Sequence, residues 1–183
     1  MKLKEKQFAP DFTATDIYGN TFRLSDLRGK KIVIGFYRNV ACPFCNRRVH
    51  QLMLNNIKLR KSNAAIVFLF ESSNEKLKKS AFHKGVSPWP LIGDPEQQVY
   101  KKYGVGTSVL KMMRTFVSSD VMGAMKNAKE NGYPMEKDKD ASMAMIPADF
   151  FINENFVIER AHYGKHMDDH VPLDDLLTFA EAK

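Results

Sequence analysis

Two runs, Lys31 to Tyr37 and Ala64 to Phe70, are apolar at almost every position and rich in β-branched and aromatic residues. Such runs mark strands covered on both faces, because a half-exposed strand alternates apolar and polar residues instead. Between them, Phe44, Val49, Leu52, Met53 and Ile57 recur at helical spacing, which predicts a helix from Pro43 to about Lys58. The order strand, helix, strand predicts a parallel pair with a right-handed crossover. Upstream, Phe8 to Thr15 alternates loosely and meets a turn cluster at Asp16 to Asn20; Thr21 to Leu24 then reads as the second arm of a hairpin, and Ser25 caps a helical turn ended by Gly29. Downstream, Asn74 to about His83 predicts a helix closed by Gly85. Leu91-Ile92 predicts a short extended piece, and Asp94 caps a helix over 95–103.

The apolar stripe of Val109, Met112, Met113, Phe116, Val117, Val121, Ala124 and Met125 predicts a long helix to about Lys129, with a break near Gly123. A polar, loop-like stretch follows over 127–140. Asp149 to Ile158 reads as a hairpin turning at Glu154-Asn155, and Pro172 to Ala182 as a closing helix with Leu173, Leu176, Leu177 and Ala180 inward. No repeat or linker interrupts the pattern, so 1–183 is expected to be one α/β domain, with 106–145 a helix and loop insertion before the last hairpin.

Composition narrows the class. At 183 residues, 44% hydrophobic and 27% charged, the chain is long enough for one substantial core. No stretch approaches the roughly 20 apolar residues of a membrane span, and the first residues lack an apolar leader segment, so a soluble cytoplasmic protein without a membrane partner is expected. The formal charge of +7 is spread along the chain with only short clusters such as that at 76–79. That distribution fits solvated faces better than a nucleic-acid footprint, which gathers on one element.

The chemistry concentrates at Ala41-Cys42-Pro43-Phe44-Cys45, which holds the only two cysteines in the chain, where a buried strand gives way to a helix. Cys42 is predicted at the helix N-cap, Pro43 at the first helical position where its missing N–H costs nothing, and Cys45 one turn on, facing back toward Cys42. A thiolate at the N-cap is favoured by free N–H groups and the positive end of the helix dipole, which lowers its pKa. Arg38, at the end of the preceding strand, is either a cation that supports this thiolate or a solvated strand-end residue. Arg47 and Arg48 lie in the second turn of the helix, and at least one of them is expected to face solvent.

His162, His166 and His170 recur every four residues near Asp168 and Asp169, but Gly164 breaks the stretch and no cysteine joins them, so no metal site is expected. Seven of the ten methionines fall between 112 and 145. Met112, Met113 and Met125 are expected in the core. The other reading is a thioether surface beside the thiols that receives an apolar hydroperoxide or a protein partner.

Several segments together carry a family resemblance. Phe8-Ala9-Pro10-Asp11-Phe12, the turn at Asp16 to Asn20, Leu24 to Gly29, the strand ending Gly35-Phe36-Tyr37, Asp94-Pro95-Glu96 with Tyr103-Gly104-Val105, and Phe150 to Asn153 resemble the peroxiredoxin family in its broad sense, the alkyl hydroperoxide reductase and thiol-specific antioxidant group. The resemblance implies a thioredoxin-like fold with an N-terminal hairpin extension. It also implies a thiol oxidoreductase without a cofactor, an external thiol reductant such as a thioredoxin or glutathione system, and assembly states that include a homodimer. It aligns Cys45 with the family's peroxidatic cysteine, whereas Arg38 and Cys42 stand where that family has proline and threonine, and its late-strand arginine falls near Pro147. The Cys42-Pro43-Phe44-Cys45 sequence is closer to thioredoxin and glutaredoxin sites, in which the first cysteine attacks. Pro147, after Ile146 and just before the last hairpin, stands where thioredoxin folds place a cis-proline against the cysteine pair.

Two mechanisms therefore compete. Either Cys45 attacks a peroxide and Cys42 resolves the sulfenic acid, or Cys42 attacks a disulfide and Cys45 releases the product. The other classes left open are a thioredoxin- or glutaredoxin-like reductase without peroxidase turnover and a non-catalytic or redox-sensing binding module.

Overall fold

The computed structural model describes residues 1–80, 89–132 and 141–182. Two short strands, β1 (Thr13–Thr15) and β2 (Thr21–Arg23), form the N-terminal hairpin, and Leu24–Leu27 is a single 3-10 turn. Then come β3 (Lys31–Tyr37), α1 (Pro43–Leu54), α2 (Asn56–Lys61), β4 (Ala64–Phe70), α3 (Asn74–Lys79), β5 (Leu91–Gly93) and α4 (Gln98–Lys102). The chain continues through α5 (Val109–Ser118), α6 (Val121–Glu130), β6 (Ala148–Ile152), β7 (Ile158–Tyr163) and α7 (Leu173–Glu181).

Among the described residues the central sheet runs β5-β4-β3-β6-β7, with β3 parallel to β4, β4 parallel to β5, and β6 antiparallel to both β3 and β7. Every residue of β3 and β4 is buried, as their continuous apolar runs require. The pleat divides these strands between two cores. Val33, Tyr37, Ile66, Phe68 and Phe70 face α1, α6 and α7, in the core that holds both cysteines. Ile32, Ile34, Phe36, Val67 and Leu69 face the other way, against Phe12, Leu24, Tyr100 and Tyr103.

Gly35 matters on the first of these faces, because a β-carbon there would stand 2.6 Å from the Tyr37 ring. The bare backbone lets that ring fold back and stack on Phe70, with centroids 4.9 Å apart.

Several elements differ from expectation for local reasons. The first hairpin arm is Thr13–Thr15 only, since Phe8 makes an isolated bridge to Val157. The helix after the cysteines stops at Leu54; Asn55 interrupts it, α2 follows, and Ile57 is exposed. Asp94 caps α4 through side-chain bonds from the N–H groups of Gln98 and Val99, and the left-handed Gln97 delays the helix to Gln98. The helix from Asn74 ends at Lys79, and the expected extension to His83 and closure at Gly85 lie outside the described residues.

The long helix is two helices. The break falls at Ser119-Asp120 rather than at Gly123, because the Asp120 carboxylate accepts the Gly123 N–H at 2.8 Å and starts α6 anew. α6 also runs to Glu130, into the stretch expected as loop; 133–140 lie outside the described residues. Met112 packs on the core, but Met113 and Met125 are exposed, which corrects their expected burial. In the last hairpin β6 begins at Ala148, the turn occupies 153–157, and β7 starts only at Ile158. Leu176 and Ala180 of α7 are buried, with Leu173 and Leu177 packed beside them.

Candidate active site

β3 delivers the chain to a tight turn over residues 38–42, held by bonds from Cys42 N to Asn39 O (3.1 Å), Val40 N to Ser72 Oγ (3.0 Å) and Asn46 Nδ2 to Val40 O (2.9 Å). Cys42 is the N-cap of α1 and Pro43 its first residue, as the spacing predicts. Both cysteines are free thiols, and both are buried.

The cap works differently from expectation. Cys42 Sγ makes no capping bond to the helix N–H groups. Its charge is met instead by Arg38, whose Nη1 donates to Cys42 Sγ at 3.3 Å. Burial opposes the Cys42 thiolate, but a hydrogen bond from the Cys45 thiol and the Arg38 charge outweigh it, and the pKa falls to about 6. Burial pushes the Cys45 thiol up, and its bond to Cys42 and the charge of that neighbour push it further. The two sulfurs thus divide into a thiolate and a thiol.

Arg38 is buried rather than solvated, and it serves both cysteines. Its backbone N–H donates to Cys45 Sγ at 3.3 Å, its Nη2 donates to Met143 O at 2.8 Å, and its carbonyl accepts from Glu71 N at 2.8 Å. The cation is therefore clamped between the end of β3 and the chain just before β6. Pro147 precedes β6, its carbonyl accepting from Gly164 N at 2.9 Å, and it lines a cavity with Val105, Thr107 and Tyr163. Its neighbour Ile146 belongs to the same core as the cysteines.

Behind Cys45 lies a polar cluster that sequence reasoning missed. Asp149 accepts from Val171 N at 2.8 Å, and both its oxygens stand 3.0 Å from His170 Nδ1. Burial disfavours the Asp149 carboxylate, but the charge and hydrogen bond of His170, with Arg48 and Val171 N–H, hold its pKa at about 2. Arg48 is buried, and its Nη2 donates to Val171 O at 2.7 Å. Tyr37 completes the cluster, its ring 5.1 Å from that of His170. A buried aspartate in an otherwise apolar strand was the one available signal. Arg47 is the more open of the pair and bridges Asp168 at 2.6 Å.

The three histidines do not converge. His162 faces the Asp169 carbonyl, His166 faces Ser119, and His170 faces Asp149. Among the described residues no three histidine, cysteine, aspartate or glutamate side chains group as a metal site, and no helix is long and apolar enough to cross a membrane.

Comparison with known proteins agrees with this architecture. A putative peroxiredoxin of Mycobacterium tuberculosis, Rv2521, is 27% identical over 146 residues, 74% of this chain and 92% of its own. Peroxiredoxin Bcp of Escherichia coli is 27% identical over 114 residues, 62% of this chain and 72% of its own. The crystal structure of peroxidoxin BcpB from Mycobacterium tuberculosis superposes with a TM-score of 0.68 at 18% identity, over 98% of this chain and 97% of that one, and so shares its fold. The AhpC/TSA family model matches residues 6–161, which takes in the hairpin, the cysteine pair with Arg38, and the sheet through β6 and most of β7: the chain belongs to the AhpC/TSA family.

Proposed function

We propose that the chain is a thiol-dependent peroxidase that works through a Cys42–Cys45 dithiol–disulfide cycle, with Cys42 as the attacking thiolate. The observation that carries this reading is the Arg38 guanidinium at 3.3 Å from Cys42 Sγ, which supports the thiolate at the sulfur where attack begins. Cys42–S⁻ attacks the distal oxygen of ROOH and the O–O bond breaks. Cys42–SOH forms, and RO⁻ leaves to take up a proton as ROH. The Cys45 thiol, one helical turn away, then attacks the sulfenic sulfur; the S–O bond breaks, a disulfide forms, and water carries away the hydroxyl with the Cys45 proton. An external dithiol, such as a thioredoxin-type protein, returns both sulfurs to the reduced state by exchange. The relatives named peroxiredoxins support the peroxide as substrate. Both sulfurs are buried, which admits a small peroxide for the oxidising half of the cycle, whereas the exchange with the external dithiol needs the site to open.

A second reading, disulfide reduction without peroxidase turnover, shares Cys42 as nucleophile and is favoured by the first-cysteine thiolate and the raised pKa of Cys45, the pattern of a dithiol exchanger. Stopped-flow mixing of reduced Cys45→Ser with hydrogen peroxide should retain the fast first phase and leave a dimedone-reactive sulfenic acid on Cys42, while Cys42→Ser should lose at least about 100-fold in rate, as a positioned nucleophile is removed. A dimedone adduct on Cys45 formed at the wild-type rate in Cys42→Ser would reverse the roles. Wild-type oxidation no faster than that of free cysteine would leave the exchange reading instead.

A further inference from the structure

α5 and α6 each leave apolar side chains facing solvent, most of them on α5. Leu110 is 79% exposed, Phe116 68%, Val117 89% and Met122 80%, with Val109, Met113, Met125 and Met143 also open to solvent. Single exposed apolar residues are ordinary, but five of them on one helix make a patch that marks a contact surface. On α5 the five exposed apolar side chains at 109, 110, 113, 116 and 117 cover one arc, the buried Thr115 lies on another, and Lys111 and Arg114 stand on a flank. Beside this arc runs a groove of about 560 Å³ lined by Leu110, Met113, Val117, Lys111, Arg114 and Lys165, with no carboxylate among them.

Charge decides between occupants. Pairing two copies through this face would gather both sets of Lys111, Arg114 and Lys165 around one apolar seam whose groove lining offers no carboxylate to offset them, at an unfavourable cost. An apolar face flanked by Lys and Arg, on a chain of net charge +7, is instead complementary to an anionic lipid surface, where acyl chains take the apolar arc and headgroups take the cations. We propose that α5, with Lys165 beside it, forms a peripheral docking surface for an anionic bilayer. The expectation of no membrane partner rests on the want of a spanning segment, and a helix lying in the interface needs none. The docked face is joined to the redox pair by one short segment, because Ala144 O accepts the Ser108 N–H that precedes α5 and the adjacent Met143 O accepts from Arg38.

Flotation with large unilamellar vesicles tests this. The wild-type chain should bind vesicles of phosphatidylcholine with about 30 mol% phosphatidylglycerol, should not bind pure phosphatidylcholine, and should weaken several-fold as salt rises from about 0.1 to 0.5 M. Leu110→Gln/Val117→Gln should lower binding at least about tenfold by removing two of the most exposed apolar contacts. Arg114→Gln/Lys165→Gln should abolish the preference for anionic lipid. Both variants should keep the wild-type melting temperature and the wild-type rate with hydrogen peroxide in solution. No binding to anionic vesicles by the wild-type chain would overturn the proposal, as would unaltered binding by either variant. A wild-type dimer at micromolar concentration that Leu110→Gln/Val117→Gln converts to monomer would also overturn it and assign the face to a second copy.

Discussion

At the scale of single residues, the division of labour between the cysteines rests on the hydrogen bond from Cys45 to Cys42 and on one arginine. Arg38 places a cation on Cys42 Sγ and a neutral backbone N–H on Cys45 Sγ, so its charge favours ionisation chiefly at the first sulfur. The pH dependence follows from the direction of the shift. With its pKa lowered to about 6, Cys42 is thiolate at neutral pH and becomes an unreactive thiol as the pH falls through that value. Iodoacetamide alkylation of Cys42, followed by peptide mass spectrometry, should therefore rise through a midpoint near 6 as pH increases. In Arg38→Met the midpoint should move up toward the ~8.5 of a free cysteine, and in Arg38→Lys by less, since a point charge without the planar fork keeps only part of the contact. An unchanged midpoint in Arg38→Met would remove Arg38 from the site.

At the scale of elements, Asp149 ties β6 to the chain that leads into α7. It accepts from Val171 N and His170, and Arg48 of α1 reaches the same segment at Val171 O. Asp149→Asn removes the buried charge opposite His170 and should cost about 3 kcal/mol in urea unfolding at pH 7, the scale for breaking one side of a buried pair. The sign of its pH dependence is set by a carboxylate whose folded pKa, about 2, lies below the ~3.9 of an unfolded aspartate. The stabilisation is full above the unfolded value and fades as pH falls toward 2. The gap between wild type and Asp149→Asn should thus narrow across that window; a constant gap would mean that packing, not charge, ties these elements.

At the scale of the whole molecule, the strands that build the centre were legible because full burial on both faces writes itself as an unbroken apolar run, as in β3 and β4. The cysteine pair was legible because Pro43 and the strand-to-helix switch fix its place. What Arg38 does was not, since its partner Met143 O comes from 105 residues away. The same holds for the Asp149–His170 pairing, made between β6 and the segment that leads into α7. The stripe on 109–125 misled in another way. Helical periodicity reports that a helix has an apolar face, not what covers it, and here Ala124, Ala128 and Thr115 face inward, Met112 and Val121 pack beside them, and Met113, Phe116, Val117 and Met125 look out.

The clamp on Arg38 also bears on how strongly the pair holds its electrons. Joining the two sulfurs removes the anion that a buried guanidinium faces and leaves its charge with weaker company, so the oxidised form is disfavoured relative to the reduced one. Stabilising the dithiol state makes the couple a better oxidant, and the reduction potential should sit high for a dithiol protein. Equilibration of Arg38→Met with a glutathione redox buffer should show a potential lower than wild type by roughly 30 mV or more, the equivalent of about one tenfold change in the exchange constant. The residue that sharpens the thiolate would then also govern how readily the spent enzyme is recharged.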